Sequence, residues 1–159
     1  MDGIEIAEIM FGSIYKNKKV LITGNTGFKG SWLTIWLLKL GAKVYGISKD
    51  IPTEPSMFKE LGLKNRIIYF EEDVRDLDSV IPIINEIKPD FIFHLAAQAL
   101  VSVSYSDPIE TIATNIIGTT NILEALKKSN HKCVGIFITS DKCYENVEWE
   151  WGYKETDVL

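Results

Sequence analysis

Cysteine, histidine and cationic residues are scarce in this chain, and each scarcity removes a class of function. Cys133 and Cys143 are its only cysteines, and it has two histidines. No second Cys/His pair stands at metal spacing, so no metal site is assigned. The two cysteines could form one disulfide; a reduced pair is the expectation for a cytoplasmic protein. Lysine and arginine together number 17 against 22 acids, a net charge of −5. No basic cluster with interleaved aromatics occurs, so a nucleic-acid surface is not expected. No apolar run reaches the ~20 residues of a bilayer-spanning helix. Met1-Asp2-Gly3-Ile4-Glu5 carries acid where an export signal needs base. A cytoplasmic location without membrane contact is therefore expected.

What is present is enough for a core. Hydrophobic residues make up 46% of the 159 residues, which suits one domain. The chain is organised around Thr23-Gly24-Asn25-Thr26-Gly27-Phe28-Lys29-Gly30. The apolar run Val20-Leu21-Ile22 enters this stretch and an apolar helical pattern, Trp32 to Leu40, leaves it. A strand that turns on glycines into a helix presents backbone N–H groups and a positive helix end to an anion, naturally a dinucleotide pyrophosphate. Glycine is needed because a Cβ would block the turn or hold the phosphate away. A plain turn with a small-residue helix contact fits the glycines alone.

Along the chain, residues 1–17 read as a leader with a loose helix over Ile4 to Met10, and Phe11 and Tyr15 packing on the sheet edge. Strands are expected at Lys18–Thr23, Lys43–Ile47, Arg66–Phe70, Asp90–Leu95 and Cys133–Thr139. Helices are expected at Phe28–Leu40, Ser56–Leu61 and Asp78–Ile87, with the longest opened by Asp107-Pro108. The stripes Trp32, Leu33, Trp36, Leu37, Leu40 and Ile109, Ile112, Ala113, Ile116, Leu123, Leu126 are expected to face the core. Strands alternating with helices imply right-handed crossovers and a parallel sheet. The expected fold class is α/β, a doubly wound parallel sheet (Rossmann fold), truncated after about five strands. Residues 18–159 form its single domain. Four polar or small-residue segments fall at the carboxyl ends of the strands, where such sheets bind ligands: Gly24–Gly30, Asp73–Asp76, Leu95–Gln98 and Ser140–Tyr144.

These residues resemble the extended short-chain dehydrogenase/reductase family from Lys18 onward. The resemblance rests on Thr23-Gly24-x-x-Gly27-Phe28-x-Gly30, Asp73-x-x-Asp76, His94-Leu95-Ala96-Ala97, Asn115-x-x-Gly118-Thr119 and Thr139-Ser140-Asp141. Gly27-Phe28-Lys29-Gly30-Ser31-Trp32, Pro52-Thr53-Glu54-Pro55-Ser56, Ser140-Asp141-Lys142-Cys143-Tyr144-Glu145-Asn146 and Glu148-Trp149-Glu150-Trp151-Gly152-Tyr153 are similar to its nucleotide-sugar 4,6-dehydratases of the CDP-glucose branch.

The resemblance implies NAD as cofactor, held by Gly24, Asn25, Thr26, Gly27, Phe28 and Gly30. Asp73 would accept a hydrogen bond from the adenine amino group, with Val74 beside it. Residue type alone also fits a solvated loop acid or helix cap for Asp73. Leu95, Ala96 and Ala97 would line the cofactor, though strand packing explains them too, and Thr114 would face the nicotinamide half. Ser48 stands where an NAD enzyme usually places an acid for the ribose, and Lys49 next to it could invite a 2′-phosphate. The local residues thus leave NAD and NADP both open.

The implied reaction is an internal redox dehydration of a nucleotide sugar such as CDP-glucose. Hydride leaves sugar C4, water is lost across C5 and C6, and the hydride returns to C6. Ser140 would orient the 4-hydroxyl, Asp141 would protonate the departing 6-hydroxyl, and Lys142 would take the C5 proton. A salt-bridged or solvated loop fits Asp141-Lys142 on residue type alone. The family's Tyr-x-x-x-Lys pair is missing after Ser140. Tyr45-x-x-x-Lys49 matches the spacing but lies on a strand, its ends separated by about 13 Å of backbone. Ser102-Val103 also departs from the pattern, where an arginine is expected. The chain is thus expected to be the cofactor-binding part of a homodimeric enzyme, inactive alone. Another nucleotide-sugar dehydratase or epimerase, or an NAD(H)-binding protein without catalysis, remains an alternative.

Overall fold

The structure, a computed structural model, describes residues 10–140 and 143–159. The leader up to Ile9, with most of the helix expected there, and the Asp141–Lys142 pair lie outside the described residues. β1 (Lys19–Thr23) forms the middle of the sheet. Its Val20, Leu21 and Ile22 are fully buried, as a strand covered on both faces requires. Alternation sends Val20 and Ile22 into one apolar cluster and Leu21 into the other. β2 (Lys43–Ile47) and β4 (Phe91–His94) flank β1, and β3 (Ile68–Phe70) and β5 (Val134–Phe137) are the edges. All pairings are parallel, in the order β3-β2-β1-β4-β5. The doubly wound sheet expected from the sequence is present, and its strand order reverses between β1 and β4. The two edge strands are shorter than their apolar runs, because an edge residue has a neighbour on one side only; interior β4 is one residue shorter at each end than expected. β3, for instance, pairs only over Tyr45–Ile47.

Helix α1 (Phe28–Lys39) covers the face that carries Val20, Ile22 and Val44. α2 (Met57–Glu60) is one turn, capped by Ser56, whose Oγ accepts the Lys59 N–H. α3 (Leu77–Ile87) starts from Asp76, whose carboxylate accepts the N–H groups of Asp78 and Ser79. After β4 comes α4 (Val101–Ser106), which no apolar pattern announced. The long helix then runs as α5 (Pro108–Ile112), a π-helical turn (Ala113–Ile117) and α6 (Gly118–Ser129). Backbone angles stay helical at both junctions, so the three are continuous. Asp107 caps it as expected, its carboxylate accepting the Glu110 N–H at 3.0 Å. α3 and α6 together cover the second face of the sheet.

Both expected core stripes need correction. On α1 the buried residues are Gly30, Ser31, Thr34 and Leu37, with Leu40 buried just beyond the last turn. Trp32 and Trp36 point outward, at 56% and 46% exposure. On the long helix Thr114, Gly118, Asn121, Ile122 and Ala125 are buried, while Ile109, Ile112, Ile116 and Leu123 are each at least half exposed. Close approach is the reason. A Cβ on Gly30 would lie 2.1 Å from the Gly24 carbonyl oxygen, and one on Gly118 would lie 2.8 Å from Val74 Cγ2. Small residues take the contact face because larger ones would push the helix off the strand ends, and the bulky apolar residues are left outside.

A chain of hydrogen bonds ties β1, β4 and the long helix together. Thr119 Oγ1 donates to the Asn115 carbonyl at 2.7 Å. That uses its only proton, so the 3.0 Å contact to His94 must be donated by His94 Nε2. His94 Nδ1 is then the acceptor for Thr23 Oγ1 at 2.7 Å. Thr23 Oγ1 in turn accepts the Ala96 N–H at 3.2 Å. His94 is 3% exposed, and burial lowers its pKa from 6.5 to about 4.

Two outcomes are expected. Gly30→Ala, although alanine favours helices, should lower stability by about 2 kcal/mol, since backbone must shift; an unchanged thermal midpoint would refute this. Below pH 6.5 the unfolded chain protonates at histidine before the folded chain does. His94 should therefore cost stability as pH falls toward 4, at about 1.4 kcal/mol per pH unit. Urea titrations at several pH values should show a flatter profile for His94→Gln than for the parent.

Candidate functional site

The carboxyl ends of β1 and β4 open the crevice where the strand order reverses. Gly24 leaves β1 at φ +71°, and a Cβ there would lie 2.8 Å from the Ala96 nitrogen. Its N–H donates to the Ile47 carbonyl, and the Gly27 N–H donates back to the Gly24 carbonyl. Gly27 is the N-cap of α1 and brings no side chain to satisfy that helix's first N–H groups. They are left for an anion, and the close-packed glycines let its oxygens reach them. Phe28 is the first residue of α1 and is 73% exposed. The cradle thus fits a dinucleotide diphosphate.

Asn25 is fully buried. Its side chain lies under the turn, against Gly46 of β2, where a Cβ would come within 2.4 Å. Asn25 Oδ1 accepts a 2.8 Å hydrogen bond from Ser48 Oγ. Ser48 Oγ also accepts the Thr26 N–H at 3.4 Å, and Thr26 Oγ1 donates to the Asp50 carbonyl at 2.7 Å. The end of β2 is thereby locked to the glycine turn. Buried Thr26 and Ser48 serve that lock.

The next strand end carries a chain of ionic groups. Arg75 Nε donates to Asp73 Oδ2 at 2.9 Å and Arg75 Nη2 to the same oxygen at 2.6 Å, while the Arg75 N–H donates to Oδ1 at 2.9 Å. Arg75 Nη1 also donates to Glu110 Oε2, and Lys49 Nζ donates to Glu110 Oε1 at 3.0 Å. Burial pulls the Asp73 pKa up, but the hydrogen bonds and charge of Arg75 outweigh it and hold the carboxyl below its ordinary value. Glu110 is also held low, first by the Lys49 hydrogen bond. Val74 is buried against α6, and Asn121 Nδ2 donates to its carbonyl and to that of Arg75. Thr114 is buried one turn after Glu110, with its hydroxyl 3.4 Å from Glu110 Oε1. It lies on the side of the long helix that meets Lys49 and Arg75.

Leu95, Ala96 and Ala97 follow β4 along the crevice. The Leu95 N–H donates to the Thr23 carbonyl, and Ala97 is exposed. Asn115, in the π-helical turn, clamps this segment: its Oδ1 accepts the Gln98 N–H at 2.8 Å and its Nδ2 donates to the Gln98 carbonyl at 3.0 Å. Ser140 is exposed, just past the carboxyl end of β5. Asp141 and Lys142 lie outside the described residues. Beyond them, Tyr144 and Tyr153 stack with ring centroids 5.2 Å apart, and Cys143, like Cys133, is a free thiol. Burial, helped by Asp90, raises the Cys133 pKa to about 11. Among the described residues no cluster of metal-binding side chains occurs, and no helix is long and apolar enough to cross a membrane.

Sequence reasoning gave no role to Thr23, Arg75, Glu110 or Asn121. Glu110 carried a misleading signal. Three residues after a capping Asp107 it looks like the second half of a capping box, yet the Asp107 N–H donates to Val103 and the Glu110 carboxylate turns to Lys49 and Arg75.

Known proteins resemble this chain over most of its length. The family model described as GDP-mannose 4,6 dehydratase matches residues 21–159. CDP-glucose 4,6-dehydratase of Salmonella typhimurium is 46% identical over 147 residues, 92% of this chain and 41% of that enzyme. CDP-paratose 2-epimerase of Salmonella typhi is 31% identical over 88% of this chain and 41% of its own length. The chain thus spans about two-fifths of the length of these curated relatives. Among solved structures, UDP-glucose 4-epimerase of Thermus thermophilus in complex with NAD superposes with a TM-score of 0.63 at 32% identity, over 70% of this chain and 34% of that one. The chain belongs to the GDP-mannose 4,6 dehydratase family, within the extended short-chain dehydrogenase/reductases.

Proposed function

We propose that this chain is the cofactor-binding part of an NAD-dependent nucleotide-sugar 4,6-dehydratase that converts CDP-glucose to CDP-4-keto-6-deoxyglucose. The observation that carries the reading is the convergence of the glycine turn, the Leu95–Ala97 wall and Ser140 at the carboxyl ends of β1, β4 and β5. The 46% identity to a CDP-glucose 4,6-dehydratase supports the choice of sugar nucleotide, and the NAD-bound epimerase of the same fold supports the cofactor. The N-terminus of α1 and the glycines hold the diphosphate. Asp73, kept ionised by Arg75, accepts from the adenine amino group. When bound, NAD would supply a hydride acceptor at sugar C4 and, once water has left, the same hydride for C6, so the cofactor ends as it began and C4 stays a ketone. Ser140 orients the 4-hydroxyl. Once C4 is a ketone the C5 proton is acidic, and Lys142, neutral for the task, removes it. Asp141 delivers a proton to the departing 6-hydroxyl, which leaves as water.

A second copy of this chain is the proposed partner for the outer face of the long helix. Ile109, Ile112, Ile116, Ile117 and Leu123 form an exposed apolar stripe there. A twofold axis would lay this stripe against itself and cover both copies at once.

Three measurements test the reading. Isothermal titration should show the isolated chain binding NAD, while NMR shows CDP-glucose unchanged. The reading frame beyond the Leu159 codon should supply a Tyr-x-x-x-Lys pair; a stop codon there would favour an NAD(H)-binding protein without catalysis. In the enzyme completed by that segment, Lys142→Ala should lower turnover by roughly 10²- to 10⁴-fold and abolish solvent deuterium uptake at C5. Persistent uptake would remove Lys142 from that role. The dimer is tested by light scattering, where Ile116→Asp should halve the mass of the chain's main species; a parent that is already monomeric would refute it.

A further inference from the structure

In doubly wound dinucleotide sites an acid at the end of the second strand takes the ribose 2′-hydroxyl, and a cation nearby admits a 2′-phosphate instead. Here the side chain at that end is Ser48, whose hydroxyl is occupied by Asn25 and by the Thr26 N–H. β2 itself supplies no carboxylate; the acids nearest its end by charge are Asp50, two residues past Ser48, and Glu71. Burial first, and then Glu71 and Asp50, raise the pKa of Tyr69, whose hydroxyl donates to the Ser48 carbonyl at 3.0 Å. Two cations stand close by, Lys49 and Arg75, an arrangement that by itself would favour NADP. Both are engaged by one carboxylate that arrives from the far side of the sheet sequence, Glu110. Arg75 is closed on its other side by Asp73. Lys49, Glu110, Arg75 and Asp73 form an alternating chain of two positive and two negative groups, with no net charge.

We infer that Glu110 is the residue that makes this site select NAD over NADP, by neutralising Lys49 and Arg75 beside the ribose position. The inference rests on the dinucleotide reading of the crevice. A 2′-phosphate brings close to two negative charges. To reach either cation it must displace the Glu110 carboxylate or accept it as a neighbour, and both are unfavourable. The unphosphorylated ribose meets no such charge. The position of Glu110 on the first turn of α5, fixed by the Asp107 cap and Pro108, keeps the carboxylate over the end of β2. The lock between Ser48, Asn25 and Thr26 keeps that strand end from drifting away. Glu110 does not touch the reacting atoms and acts through the two cations it holds.

The test is binding of NAD and NADP to the full chain, by titration calorimetry at low and moderate salt, with circular dichroism as the check on folding. Glu110→Gln keeps the size of the side chain and removes its charge. It should raise NADP affinity relative to NAD by about tenfold, the groups being partly exposed, and the gain should shrink as salt rises. Lys49→Met in the parent should leave the NADP to NAD ratio within about twofold, because a cation already paired gives no advantage to phosphate. Combined with Glu110→Gln, Lys49→Met should remove most of the gain. NAD binding that persists in Glu110→Gln with an unchanged ratio would overturn the inference and leave the cofactor reading standing. A drop in NADP affinity on Lys49→Met alone would also overturn it, and this arm holds even where Glu110→Gln fails to fold. Absence of binding by either nucleotide to the folded parent would overturn both readings together.

Discussion

The contact between the start of α1 and the turn that precedes it governs the rest of this structure. A Cβ on Gly30 would sit 2.1 Å from the Gly24 carbonyl oxygen and 2.7 Å from the Asn25 Cα. This approach is open only to a residue without a side chain. It tilts the amino end of α1 into the crevice and leaves its first N–H groups pointing there, where an anion is favoured. It also dictates which face of α1 is buried. Once the axis lies this close to the strand ends, only Gly30, Ser31 and Thr34 fit beneath the first turns, and the two tryptophans must face out.

The same rule recurs on the other side of the sheet. Gly118 lets the long helix lie against Val74, and the Asn121 side chain then reaches the Val74 and Arg75 carbonyls. Polar residues on that buried face are fully used. Thr119 reaches His94, Asn115 clamps Gln98, and Thr114 lies toward Glu110. The helix is therefore a bracket for the strand-end loops as much as a cover for the core. Its outward isoleucines follow from the same geometry, since the contact side has no room for them.

Neutral His94 is the middle of this bracket. Its two ring nitrogens have opposite roles, one accepting from Thr23 and one donating to Thr119, and the imidazole is just long enough to join β1 to the helix across β4. A protonated ring would be a buried charge facing only two threonine hydroxyls among the described residues, and burial lowers its pKa accordingly. The placement of the Ala96 amide thus depends, through Thr23, on this one side chain.

The sequence by itself determined the α/β class, the five strands in order, the glycine turn and the Asp107 cap, because each is a local pattern of side-chain size, alternation or capping. It also brought the expected site segments to one end of the sheet, since parallel strands leave no other place for them. Tertiary structure decided what depends on distance between segments far apart in the chain. Helical periodicity marks apolar positions but not how close the helix lies, so Trp32, Trp36, Ile109, Ile112 and Ile116 were read as core and stand outside. Ser48 and Lys49 left the choice of dinucleotide open. Which charges meet there depends on Glu110, some sixty residues away in the chain, and only the folded sheet brings its carboxylate to Lys49 and Arg75.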